Sequence, residues 1–179
     1  MKSIQIKGKH NIDTLNKIGD TSYKSTRKHM DNLNDDDITH KIQLDTIRML
    51  YLDNMTNDIK NNNLDIKSLI SSEINSKIQG YKGQDIKKNI HSSDTLIIYD
   101  DVLEKLIGNM LTCYYCKNKV VILYKNVREP YQWTLDRIDN SLSHTKYNTC
   151  ISCLKCNLQR RVMDAEKFTF TKRLKINKV

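Results

Sequence analysis

Two aromatic types are scarce in this chain: among 179 residues there are two Phe and one Trp. Any core must be modest and built from aliphatic stripes. No apolar run approaches the roughly 18–20 residues that a membrane span needs, so no membrane partner is expected. The opening stretch Met1-Lys2-Ser3-Ile4-Gln5-Ile6-Lys7 lacks the apolar segment of a secretory signal. The expected setting is intracellular, cytoplasmic or nuclear and not secreted, where disulfides are rare. Cysteine is missing from the first 112 residues. Net charge is missing from the first 110, where 16 Lys and Arg meet 16 Asp and Glu.

What is present is concentrated at the other end. Residues 111–179 hold 14 Lys and Arg against 5 Asp and Glu, which accounts for the whole net charge of +9. A basic half attracts polyanions, because each phosphate neutralised releases bound counterions; a merely soluble surface is the plainer reading. The five cysteines, Cys113, Cys116, Cys150, Cys153 and Cys156, lie within 44 positions. Clustered in this way they suggest metal before disulfides.

Residues 1–40 read as a flexible polar arm with the acidic run Asp35-Asp36-Asp37. From about 41 the pattern turns helical: Ile42, Leu44, Ile47, Leu50, Tyr51 and Met55 recur mostly at three- and four-residue steps. Asn61-Asn62-Asn63 breaks this segment. A second helix is expected from about 65, with Ile66, Leu69, Ile70, Ile74 and Ile78 on its apolar face, ending near Gly80 and Gly83. Residues 84–92 suggest a short basic helix, and Thr95–Tyr99 a brief extended piece. Asp100 suits the N-cap of a helix to about Met110, with Val102, Leu103, Leu106 and Ile107 facing inward. Stripes of this kind are core positions first.

Past Leu111 the texture changes. Val120–Tyr124 and Gln132–Ile138 read as strands, separated by the sole proline, Pro130. Asn140–Ser143 supplies turn residues before a returning segment at Tyr147–Ile151, and 154–166 reads as a helix. The fold class is α+β: a helical region over 41–110, then a small module over 111–179 with a basic tail. The helical region is suited to placement, to a homodimer contact or to a protein partner.

Cys113-Tyr-Tyr-Cys116 and Cys153-Leu-Lys-Cys156 are two C-x2-C pairs with 36 residues between them. Two such pairs supply the four thiolates of a closed tetrahedral site for structural Zn2+; redox pairs or free thiols are the other readings. Cys150 is expected to be a small buried residue, and Trp133, Tyr114 and Tyr115 to pack around the metal. Between the knuckles stand Leu135-Asp-Arg-Ile-Asp-Asn140, His144 and Asn148, and Asn157 follows the last cysteine. Over residues 113–161 the segment resembles the zinc-bearing HNH (ββα-metal) nucleases, and most of all those of phages and large DNA viruses. The stretch from Lys77 to Ile86 also looks like the lead-in of such viral proteins.

The resemblance implies a metal-dependent endonuclease that nicks or cleaves DNA with Mg2+ or Mn2+ as its catalytic ion, and adds a viral factory or virion as a setting. It implies that Asp136 and Asn157 hold the catalytic ion and that Asn148 holds the loop or orients the base. The family's base histidine would stand at Arg137, which cannot accept a proton near neutral pH but can clamp a phosphate. His144 is then the leading base candidate, ahead of Asp139, which also suits a turn cap, and Tyr147. Arg160 and Arg161, with Lys155 and Lys146, are the expected nucleic-acid contacts, and Lys167, Lys172, Arg173, Lys175 and Lys178 extend the strip; a solvated face is the plain alternative. Two other functions stand beside the nuclease. One is a degenerate HNH module acting as a non-catalytic nucleic-acid-binding or structural protein. The other is a zinc-stapled protein-interaction domain.

Overall fold

The computed structural model describes residues 26–56, 64–92 and 95–174. The Asn61-Asn62-Asn63 break, the first 25 residues of the arm, the Met55 side chain, Lys175 and Lys178 lie outside the described residues. Three helices, α1 (His40–Thr56), α2 (Leu64–Lys87) and α3 (Tyr99–Gly108), precede an antiparallel pair, β1 (Trp133–Arg137) and β2 (Thr149–Cys153). Helices α4 (Leu154–Arg160) and α5 (Ala165–Arg173) follow. The α+β class holds, with helices and a small two-stranded sheet.

The aliphatic stripes do what their spacing demands. Ile47, Ile70, Ile74, Leu103 and Leu106 are fully buried, and they share one apolar cluster with Leu111, Ile122, Trp133, Ile151 and Phe168. The helical region and the cysteine-bracketed segment therefore have a common core. Truncating a residue such as Leu106 to Ala would cost about 2–5 kcal/mol.

Residues 26–38 depart from the loose arm expected of them. Arg27 clamps Glu73 of α2 at 2.7 and 2.8 Å, Met30 is fully buried, and Thr26 bridges to Asn126. An ion pair that is largely buried, with an apolar anchor three residues on, offsets the ordering cost that polar composition alone would not.

Helix α2 runs through Gly80 and Gly83 rather than stopping there, and it takes in the first four residues of the segment 84–92 expected as a separate basic helix. Its stop is Asn89, at φ 55°, with Ile90 N–H donating to Asp85 C=O at 3.0 Å. Asn adopts this left-handed cap with a local polar side chain where glycine is the usual choice. Helix α3 starts one residue before Asp100, and it is Asp101 whose carboxylate accepts from Ile98 N–H at 3.4 Å.

Val120–Tyr124 is not a strand. Two of its N–H groups are met by Gln43, a fully buried side chain of α1 whose Oε1 accepts from Ile122 N–H at 2.7 Å and Leu123 N–H at 2.9 Å. A side chain here takes the place of a ladder partner, leaving a single parallel bridge, Val121 to Gln132. The helix expected over 154–166 is two. Arg161 at φ 51° ends α4, and Asp164 caps α5 by accepting from Glu166 and Lys167 N–H at 3.0 and 2.9 Å.

Candidate functional site

The cysteine knuckles meet. The Sγ atoms of Cys113, Cys116, Cys153 and Cys156 all lie within 4.8 Å of one another, a group positioned to hold a metal ion. The first pair sits in the turn after α3; the second joins the end of β2 to the first turn of α4, where Cys156 N–H donates to Cys153 Sγ at 3.4 Å. Crowding four thiols favours one thiolate at a time. A hydrogen bond from Cys153, helped by backbone amides, holds Cys113 down to about 5, while burial beside that charge pushes Cys156 up to about 12. A soft cation removes this conflict by taking all four as thiolates, and the all-sulfur set is consistent with structural zinc. Cys150, the odd thiol, is buried and donates to Tyr115 Oη at 3.7 Å; burial pushes it up to about 12.

Beside this centre lies a cleft of about 510 Å³ between α2 and the β1–β2–α4 unit. Asp136, Arg137, His144, Asn157 and Arg161 all line it, together with Lys77, Tyr81 and Lys88 of α2. Residues far apart in sequence thus share one concave, basic surface.

Each expected site residue has a definite place. His144 is buried, and its Nδ1 lies 2.7 Å from Asp85 Oδ1 while its backbone N–H donates to Asp85 Oδ2 at 2.8 Å. The Tyr81 ring lies against it at 4.6 Å. Burial lowers the His144 pKa below its ordinary value against the opposing pull of Asp85, and Arg137 and Lys88 add to the lowering. Arg137 lies 3.6 Å from the same Asp85 carboxylate and donates to Leu142 C=O at 3.2 Å.

Asp136 is not a free carboxylate. Arg160 Nε and Tyr115 Oη donate to its Oδ2 at 2.6 and 2.7 Å, and Arg160 Nη2 to its Oδ1 at 2.9 Å. A carboxylate offers about four lone-pair positions, so one on Oδ1 remains. Asn157 donates through Nδ2 to Thr134 Oγ1 at 3.1 Å, and its Oδ1 carries no hydrogen bond among the described residues. One carboxylate and one amide oxygen at a cleft wall suit a hard ion such as Mg2+ that keeps most of its waters. Arg160 already takes one position on each of the two Asp136 oxygens.

Asn148 lies away from the cleft lining and holds the loop. Its Oδ1 accepts from Asp139 N–H at 2.9 Å, and its Nδ2 donates to Asp139 C=O and Ser143 C=O. Asp139 caps the turn through Ser141, and Tyr147 is exposed. Of the expected nucleic-acid contacts, Arg160 is a correction: it is buried, spent on Asp136 and on carbonyls, and presents nothing to a phosphate. Lys146 is engaged by Asp101 and Glu104 at 2.9 and 2.7 Å, which raises its pKa. Lys155 and Arg161 are exposed, as are Lys167 and Arg173.

The sequence reading missed three residues of α2: Lys77, Tyr81 and Asp85. Lys77 donates to Trp133 C=O and, at 3.2 Å, to Gln132 Oε1; burial lowers its pKa to about 7. Tyr81 Oη accepts from Leu135 N–H at 2.9 Å. A signal was present. Ile66, Ile70, Ile74, Lys77, Tyr81 and Asp85 follow steps of four, four, three, four and four, so the buried stripe continues into polar residues. Compared with family models, with curated proteins and with solved structures, the chain finds no match.

Proposed function

We propose that this chain is a metal-dependent phosphodiesterase of the HNH kind, cutting DNA in the cleft between α2 and the β1–β2–α4 unit. One observation carries the reading: His144, Asn157, Asp136, Arg137 and Arg161 line a single cleft, with His144 Nδ1 held 2.7 Å from Asp85 Oδ1. A scaffold that only held metal would need none of these five beside one another.

The chemistry follows from their types. His144 takes a proton from a water molecule as that water attacks phosphorus. Arg137 and Arg161 hold the non-bridging oxygens, and Arg137 is kept aligned by Asp85 and Leu142 C=O. Asp136 and Asn157 would hold Mg2+ or Mn2+, which supplies stabilisation of the charge growing on the leaving 3′ oxygen. Lys88 on α2 adds positive charge to the opposite wall, in keeping with the basic balance of residues 111–179. The four-cysteine centre would carry zinc and hold β2 and α4 in place without joining the reaction.

The test is nicking of supercoiled plasmid with and without added Mg2+, using the wild-type chain, His144→Gln and Asn157→Ala. We expect nicking by wild type that needs the added ion, with each variant slowed on the order of 10²–10⁴-fold while its thermal unfolding stays near wild type. Wild-type protein that binds DNA in a salt-sensitive way, yet nicks with no divalent ion, would replace this reading with a non-catalytic nucleic-acid-binding module.

A further inference from the structure

We infer that Asp85, on α2 and outside the cysteine-bracketed segment, is a positioning residue that selects the tautomer of His144 and leaves Nε2 as the nitrogen that meets the attacking water. The inference rests on the phosphodiesterase reading of the cleft and adds to it a residue from the helical region.

The geometry is that of a clamp. Asp85 is fully buried, and its two oxygens take two different groups of one residue: Oδ2 the backbone N–H of His144 at 2.8 Å, Oδ1 the ring at Nδ1 at 2.7 Å. The backbone amide can only donate, and Arg137 approaches Oδ1 at 3.6 Å with a further donor. A carboxyl group surrounded by donors acts as an acceptor, so Nδ1 must carry the hydrogen. Nε2 then holds the lone pair, and among the described residues nothing hydrogen-bonds to it. Tyr81 lies along the ring at 4.6 Å and 30°, which limits rotation out of that plane. A buried acid that merely filled space would not bind main chain and ring of the same histidine in a cleft lined by both Arg137 and Arg161.

Asp85→Asn separates a tautomer-setting role from a structural one. The backbone N–H of His144 still needs an acceptor, so the amide oxygen of Asn stays there. The amide nitrogen then faces Nδ1 and donates to it. The hydrogen moves to Nε2, and that nitrogen can no longer accept a proton from water.

The experiment reads the side-chain nitrogen shifts of His144 by NMR in the full chain, for wild type and Asp85→Asn, beside single-turnover nicking rates and KM for plasmid. We expect wild type to show hydrogen on Nδ1 and a bare Nε2, and Asp85→Asn to show the reverse. We expect kcat to fall on the order of 10²–10⁴-fold with KM changed less than about threefold. Wild-type spectra with the hydrogen on Nε2 would overturn the inference, even if the variant failed to fold. So would an unchanged tautomer, or an unchanged kcat, in a folded Asp85→Asn chain. Absence of nicking by wild type would count against the phosphodiesterase reading alone, because the nitrogen shifts are read without substrate and decide the role of Asp85 themselves.

Discussion

At the scale of single residues, Asp136 and Arg160 show how a group can serve a site and a fold together. Asp136 accepts three hydrogen bonds in a buried setting, two from Arg160. Removing one partner leaves the other's charge uncompensated. We expect Asp136→Ala to lose about 3–5 kcal/mol in urea unfolding, and the double variant Asp136→Leu/Arg160→Met to recover most of it; equal instability of the two would dismiss the pair as the cause. Loss of nicking in Asp136→Ala therefore speaks of metal binding only after folding has been checked. Lys77 offers a pH test. Burial puts its pKa near 7 in the folded chain against an ordinary 10.5. Between those values the folded chain has shed a proton that the unfolded chain keeps, so stability rises with pH across that window. Lys77→Met should flatten the rise when urea unfolding is compared at pH 7, 8 and 9, and an unchanged slope would refute the assignment.

At the scale of elements, α2 carries the largest surprise. It continues through two exposed glycines, and a Cβ added at either Gly80 or Gly83 meets nothing within 4 Å. The helix is kept by tertiary contacts of Tyr81 between them and Asp85 beyond them, at a cost in backbone entropy. Gly83→Ala should raise stability by about 0.5–1 kcal/mol, as measured by the urea midpoint, with nicking unchanged. A destabilised variant would mean that the glycine serves some need beyond the helix. The turns tell the same story from the other side: Asn89 and Arg161 sit at positive φ with no glycine to announce them. Helix stops set by such residues are weak local signals, so α2 was expected too short and α4–α5 as one helix.

At the scale of the molecule, the site belongs to no single segment. Cysteine ligands close one side of the β1–β2–α4 unit, while α2 forms the opposite wall of the cleft and supplies Asp85. We expect one equivalent of zinc per chain by elemental analysis. Its removal by chelation should lower the unfolding midpoint by about 10 °C or more; full stability without metal would relegate the cysteines to free thiols. Residues 111–179 expressed alone should be poorly folded and inactive, since they lose Ile47, Ile70, Ile74 and Leu106 from the shared core.

By itself the sequence determined the element types over most of the chain, the four-cysteine group and the burial of the aliphatic stripes. Those features are written locally, as a period of three to four residues or as two cysteines three apart, and local spacing survives any arrangement of the whole. It also offered His144 as the one histidine of residues 111–179, whereas Asn157 was named only through the resemblance to HNH nucleases. Only the tertiary structure decided how these groups are engaged. Asp85 meets His144 across 59 positions, Arg160 meets Asp136 across 24, and Gln43 reaches Leu123 across 80. Pairings at such separations are chosen by which helix packs where, and an arginine expected on the surface is buried as soon as the packing gives it a carboxylate.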